Sequence, residues 1–165
     1  MPFTPLHLGP PLILGYLLRR HIHWPTLIIT SVLVDLEPLA ILLLNLNTYP
    51  VHGYLHTFAS AVLLGSLVGL VVWLFRKYFN HLFSLFVLTT RDSSLSSYMV
   101  AGFSGWFIHV LIDSPLYSDI RPLYPLNINP LYCPYVSDAI VKSCLYLTLT
   151  GVVIYLLHFY KTYLR

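Results

Sequence analysis

Charge is what this sequence has least of. Asp, Glu, Lys and Arg together make up 9% of it, against about 25% in an ordinary soluble domain. With a mean hydropathy of +0.74, most of the surface must be matched to lipid, which excludes a soluble enzyme. Nine basic residues against six acidic ones leave a net charge of only +3. They are scattered in ones and twos, so no stripe exists to follow a phosphate backbone, and nucleic acid is not an expected partner. Cysteine is nearly absent: Cys133 and Cys144 form neither a framework nor a C-x-x-C pair. The eight histidines therefore have no neighbouring thiols, and any metal site must draw on nitrogen and oxygen ligands. The absence of H-E-x-x-H sets zinc-protease chemistry aside. No internal repeat, low-complexity tract or soluble appendage interrupts the chain, which reads as a single integral membrane domain over 1–165.

What is present is a series of uncharged stretches, at 1–18, 38–75, 93–112 and 143–160. A helix needs roughly 18 to 20 residues to cross a bilayer. The segment 24–44 is equally apolar but carries Asp35 and Glu37, and counts as a further span with acid inside it. The expected fold class is all-α: a polytopic transmembrane helical bundle of about five spans, at 6–19, 24–44, 52–75, 96–114 and 143–160. Strands of a membrane barrel would alternate apolar and polar residues, and these runs do not. The first segment has no basic residue before it and Arg19 and Arg20 after it, so it is expected to stay rather than be removed as a signal peptide. Arg19, Arg20, Arg76, Lys77, Arg91, Lys161 and Arg165 fall on one side of such a bundle, Arg121 and Lys142 on the other. That bias puts the N-terminus outside and the C-terminus in the cytoplasm of a multi-pass cell-membrane protein. The connection 114–142, rich in Pro, Asn and Tyr, becomes a long external loop or re-entrant cap between spans 4 and 5.

Ionisable groups inside a bilayer are functional hypotheses by default, because an Asp at a helix centre costs about 2.5 to 3.5 kcal/mol on insertion scales. His52 and His56 are four apart, as are His109 and Asp113. On helices each pair shares one face. With His7 at the outer start of span 1, these five residues are expected to meet in the outer half of the membrane. Asp35 and Glu37 are two apart and would diverge on an intact helix. Pro38 opens the turn by removing a hydrogen bond to the carbonyl of Val34, so that both acids can turn inward. Each feature also has a plainer reading: a lone histidine can be a packing residue, and the acid pair can be a proton relay or a helix-packing hydrogen bond. Together the seven groups are harder to explain as independent packing devices. His21, His23, His81 and His158 fall at segment ends or in loops, where interfacial placement suffices; Trp24, Trp73 and many tyrosines read as an interface belt.

The order of His7, LVDLEP, HGYLHT and GWFIHVLIDSPLY followed by RPLYP resembles the YdjM-like family of membrane-bound, metal-dependent hydrolases, over most of residues 1–130. The resemblance implies that His7, Asp35, Glu37, His52, His56, His109 and Asp113 are metal ligands or catalytic residues. Two departures stand out: Glu37 replaces the family's usual Asp, and the histidines of HGYLHT are one residue closer than in the common pattern, without its Arg.

Imidazole and carboxylate together suit Zn²⁺ first, with Mn²⁺ or Fe²⁺ as alternatives. Metal ligands are expected in His7, Asp35, His52, His56, His109 and Asp113, with Glu37 and Asp35 as catalytic acids. Seven candidates exceed one tetrahedral ion, so either two ions are bound, or one is bound and Glu37 serves as general base or orients a ligand. A site open to the outer leaflet would meet membrane lipid, making a lipid phosphoester or phosphodiester the first substrate class. Arg121 in the external loop is a candidate phosphate partner, unless Asp119 simply pairs with it. The other reading is a closed, four-coordinate structural metal in a scaffold or partner-binding protein. Transport is disfavoured, because no ionisable residue continues the cluster toward the cytoplasmic side.

Overall fold

The computed structural model describes residues 5–46, 50–88 and 94–163, and among them every regular element is helical. Arg91 and Arg165, which enter the charge bias above, lie outside the described residues. A 3₁₀ turn, Pro5–Leu8, leads into α1 (Gly9–Leu18), whose first turn holds Pro10 and Pro11, where the missing N–H groups would have no partner in any case. His23 caps α2 (Trp24–Leu33), and α3 (Leu36–Leu43) continues it after a break. A short α4 (Phe58–Ser60), a π-helical stretch (Ala61–Gly65) and α5 (Ser66–Leu74) run on as one rod. The chain then bends by 88° into α6 (Arg76–Leu85). The last two helices are α7 (Leu95–Asp113) and α8 (Ser137–Tyr163).

Three helices, Trp24–Leu43, Leu95–Asp113 and Pro134–Tyr163, are long and apolar enough to cross a membrane, or four if the bent pair is counted as one span. The expected first span is shorter: Leu6–Leu18 reaches only about 20 Å at 1.5 Å per residue, against a hydrocarbon core of about 30 Å. The expected third span also starts later than read. Residues 51–57 form turns and bends, so His52 and His56 do not share a helical face. The helix waits for Thr57, whose hydroxyl accepts from Ser60 N while the Ser60 side chain accepts from Thr57 N, a reciprocal cap.

In space the helices lie in the order α8, α1, α2, α7, α5. Small residues let them approach closely. A methyl group added at Gly102 would overlap the carbonyl oxygen of Gly65, and one at Gly69 the carbonyl oxygen of Tyr98, so α5 and α7 touch backbone to backbone. Among the described residues buried side chains are as often polar as apolar, while Leu, Val, Phe and Tyr crowd the exposed surface. This is the reverse of a soluble core.

The two ends of the bundle differ. At one end Arg19 stacks over Tyr16, His23 stacks on Tyr98, and Tyr155 donates to the Phe86 carbonyl, gathering the basic turns at 19–20, 76–77 and 161. At the other end His7, the α2–α3 break, the 51–57 turn and the close of α7 come together under the loop 114–133. That loop is folded back by Asn129, which donates to the carbonyls of Ser114 and Tyr117, and by Phe58 N, which donates to Pro122 O. Cys133 and Cys144 are both free thiols.

Candidate metal centre

The α2–α3 break prepares the first part of the site. In a continuous helix Asp35 N–H would bond to the carbonyl of Ser31. Here it bonds to Val32 O (3.1 Å), and Glu37 N to Val34 O (3.3 Å), because Pro38 has no N–H to offer Val34. The turn tightens, and Ser31 O is released to accept from His109 Nδ1 on α7 at 2.6 Å. With Nδ1 donating to Ser31 O, His109 turns Nε2 into the cluster, 3.5 Å from Asp35 Oδ1 and 3.3 Å from Asp113 Oδ2. The expected sharing of one face by His109 and Asp113, one helical turn apart, is observed.

The 51–57 turn is built around Glu37. Its Oε2 accepts from Gly53 N (3.0 Å), Leu55 N (3.0 Å) and His56 Nδ1 (3.1 Å). From the other side Trp106 Nε1 donates to Leu55 O (2.8 Å), and Ser60 Oγ donates to the same carbonyl (2.6 Å). His56 is thereby fixed, fully buried, with Nε2 as its free nitrogen, 4.0 Å from Asp113 Oδ2. His52 repeats the arrangement. Its Nδ1 lies 3.1 Å from both oxygens of Asp119, and its backbone N donates to Asp119 Oδ2 at 3.0 Å. Partial burial works against the Asp119 charge, but these bonds from His52 outweigh it and hold the carboxyl at about 2. His7 completes the cluster, with Nε2 3.0 Å from Asp113 Oδ1 and Nδ1 3.6 Å from Asp35 Oδ2.

Two groups of potential ligands result: His7, Asp35, His109 and Asp113, and His52, His56 and Asp113, with ligand atoms inside each group within 4.8 Å of one another. Bonds of 2.0 to 2.1 Å around a tetrahedral ion put ligand atoms about 3.3 Å apart. The separations of 3.0 to 4.0 Å seen here bracket that value. Four buried atoms, His7 Nδ1, His56 Nε2, His109 Nε2 and Asp113 Oδ1, make only ion-pair contacts of 3.0 to 4.0 Å within the cluster and no hydrogen bond of good geometry; Trp24 Nε1 and Ser97 Oγ, away from it, also lack a partner. Buried polar atoms without a good hydrogen bond are rare and destabilising, and these four all belong to the two ligand groups. A cation in each group would give these atoms a partner, so the donor set fits divalent metal.

Six of the seven residues singled out from the sequence thus fall in the two ligand groups. Glu37 stands behind His56 instead, its Oε2 occupied by three donors. Asp119 takes His52 rather than Arg121 as its partner, and the Ser31 carbonyl had no sequence signal beyond its distance from Pro38. His23 has a role the sequence did not signal: it is 1% exposed and caps α2 through Thr26. Two cavities flank the cluster. One, about 220 Å³, runs from His7 past Leu116 and Tyr117 to Ile140 and Val141 and is mainly apolar. The other, about 240 Å³, opens at His52 and is lined by Asp119, Arg121, Tyr124 and Asn127. No protein-family model, curated protein or solved structure matches the chain.

Proposed function

We propose that this chain is a multi-pass cell-membrane hydrolase that depends on a zinc-class divalent metal and cleaves a phosphoester or phosphodiester of a lipid-like substrate. The observation that carries the reading is that buried imidazoles of His7, His56 and His109 and the Asp113 carboxylate lie at ligand spacing without a good hydrogen bond at their facing atoms, while the opposite nitrogens of His56 and His109 are tied to Glu37 and to Ser31 O. Metal-binding histidines are oriented in this way, with the second nitrogen donating to a carboxylate or carbonyl. The likeness of LVDLEP, HGYLHT and GWFIHVLIDSPLY to the YdjM-like hydrolases agrees with it.

The proposed topology has five membrane-associated segments, with the N-terminus outside and the C-terminus cytoplasmic. Its support is that the basic turns at 19–20, 76–77 and 161 gather at the end of the bundle opposite the cluster. The cluster then faces the outer leaflet. An apolar cavity beside His7 and a polar one beside His52 suit a molecule with a hydrocarbon chain and a charged head.

The chemistry supplied by a bound zinc-class ion is Lewis acidity, which polarises a phosphoryl oxygen and brings the pKa of water to about 7. The residues do the rest. His7, Asp35, His109 and Asp113, and His52 and His56 with Asp113, would hold metal, and the folded-back loop with buried Ile120 limits entry of bulk water. Arg121, held by Asn127 at 2.7 Å, faces the phosphate of a substrate in the polar cavity. In the reaction the water oxygen bonds to phosphorus and the phosphorus–oxygen ester bond breaks. The proton released by water passes to the departing alkoxide by way of Asp35, the more loosely held of the two carboxylates at 3.5 and 3.6 Å from its imidazoles. Glu37 keeps His56 aligned.

The test is elemental analysis of detergent-purified protein, wild type against His56→Ala and Asp113→Ala, followed by release of phosphate or head group from lipid phosphomonoesters and phosphodiesters with and without chelator. Metal in the wild type only, with chelator-sensitive release, is the expected result. Equal metal content in all three proteins overturns the site, and full metal without turnover of any ester makes the ion structural.

A further inference from the structure

We infer that the centre holds two divalent ions and that Asp113 bridges them. This rests on the metal-dependent reading above and adds the number of ions and the residue that joins them.

The first argument is geometric. The two ligand groups share one residue, Asp113. Its Oδ1 is 3.0 Å from His7 Nε2, whereas its Oδ2 stands 3.3 Å from His109 Nε2 and 4.0 Å from His56 Nε2. The four imidazoles form a continuous row: centroids are 4.3 Å apart for His7 and His109, 5.5 Å for His109 and His56, and 4.8 Å for His56 and His52. A row of that length, with a carboxylate midway along it, is too long for one coordination sphere and matches ions about 3.5 to 4 Å apart.

The second argument is charge. Asp35 and Asp113 lie inside the cluster, and Glu37 and Asp119 stand directly behind His56 and His52. Among the described residues every ion pair these four carboxylates make is to histidine, and the one Lys or Arg pair, Lys142 with Asp138, is elsewhere. Neutral imidazoles, the form that ligates a metal, cannot balance the three buried negative charges of Asp35, Asp113 and Glu37; Asp119, 36% exposed, adds a fourth at the rim. One divalent cation leaves the buried set one negative charge in excess; a second, on the His52 side, balances all four carboxylates.

The test uses the intact detergent-solubilised chain, with Zn²⁺ and Mn²⁺ as the probes. Equilibrium dialysis against each metal followed by elemental analysis is expected to give two ions per chain, falling to one in His52→Ala. Electron paramagnetic resonance of the Mn²⁺ form is expected to show an exchange-coupled pair in the wild type and an isolated six-line signal in His52→Ala. Asp113→Asn is expected to abolish the coupling. One ion per wild-type chain, or two that survive His52→Ala, overturns the two-ion inference and leaves the metal-dependent reading standing. No bound ion overturns both. Two ions whose coupling persists in Asp113→Asn overturn the bridge.

Discussion

Removing the Glu37 carboxylate separates the two roles open to that residue. Its Oε2 accepts from Gly53 N, Leu55 N and His56 Nδ1 at 3.0 to 3.1 Å, with the side chain only 10% exposed. Hydrogen bonds to a charged acceptor contribute about 1.5 to 3 kcal/mol each. Allowing for water that reaches the truncated site, Glu37→Ala is expected to destabilise the protein by about 3 to 5 kcal/mol. His56 Nδ1–H also loses its acceptor and the ring its alignment, and such a loss lowers metal affinity by about 10- to 100-fold. Glu37→Gln retains an oxygen for part of the set and is expected to weaken metal binding less than tenfold. The assay is thermal unfolding in detergent with and without Zn²⁺, together with calorimetric titration of the metal. Unchanged melting temperature and Zn²⁺ affinity in Glu37→Ala would refute the reasoning. Full metal binding with no turnover in Glu37→Gln would assign Glu37 to proton transfer instead.

Two further outcomes are expected. Pro38→Ala restores an N–H that can bond to Val34 O; the helix closes, Asp35 N recaptures Ser31 O, and His109 loses its acceptor, so Zn²⁺ affinity should fall about tenfold in titration even though an alanine replaces a proline within a helix. His23 is held near 4 by burial, below its value of about 6.5 in an unfolded chain. The unfolded state therefore takes up its proton first, and stability present above pH 6.5 is lost as pH falls toward 4, by on the order of 2 to 3 kcal/mol. His23→Asn, which keeps a capping oxygen, should show a correspondingly shallower loss between pH 7 and pH 4.5, and identical pH curves would sink the assignment.

Much of the site was legible because helical spacing carries it. His109 and Asp113 sit one turn apart on α7, and Pro38 marks the break that turns Asp35 toward them. His52 and His56 were read as helical since hydropathy runs unbroken across them; the better signal was local, in Gly53 and in the Thr57–Ser60 cap. Asp119 looked like a partner for nearby Arg121, but its partner lies 67 residues away, beyond the reach of any spacing rule. The helix α6 escaped notice because its basic and aromatic residues read as a connection, while Phe83 is in fact buried beside His23.

The centre is assembled from widely separated stretches of chain, and synthesis delivers them in a fixed order. Asp35 and Glu37 leave the ribosome with only His7 ahead of them; His56, His109 and Asp113 follow later. On the proposed topology, a segment entering the bilayer at that moment carries two acids of which only Asp35 has a partner already made, His7. The other contacts of these acids, to His56 and His109, wait for the 51–57 turn and α7. Chains truncated before residue 109 should be the ones that quality-control proteases remove.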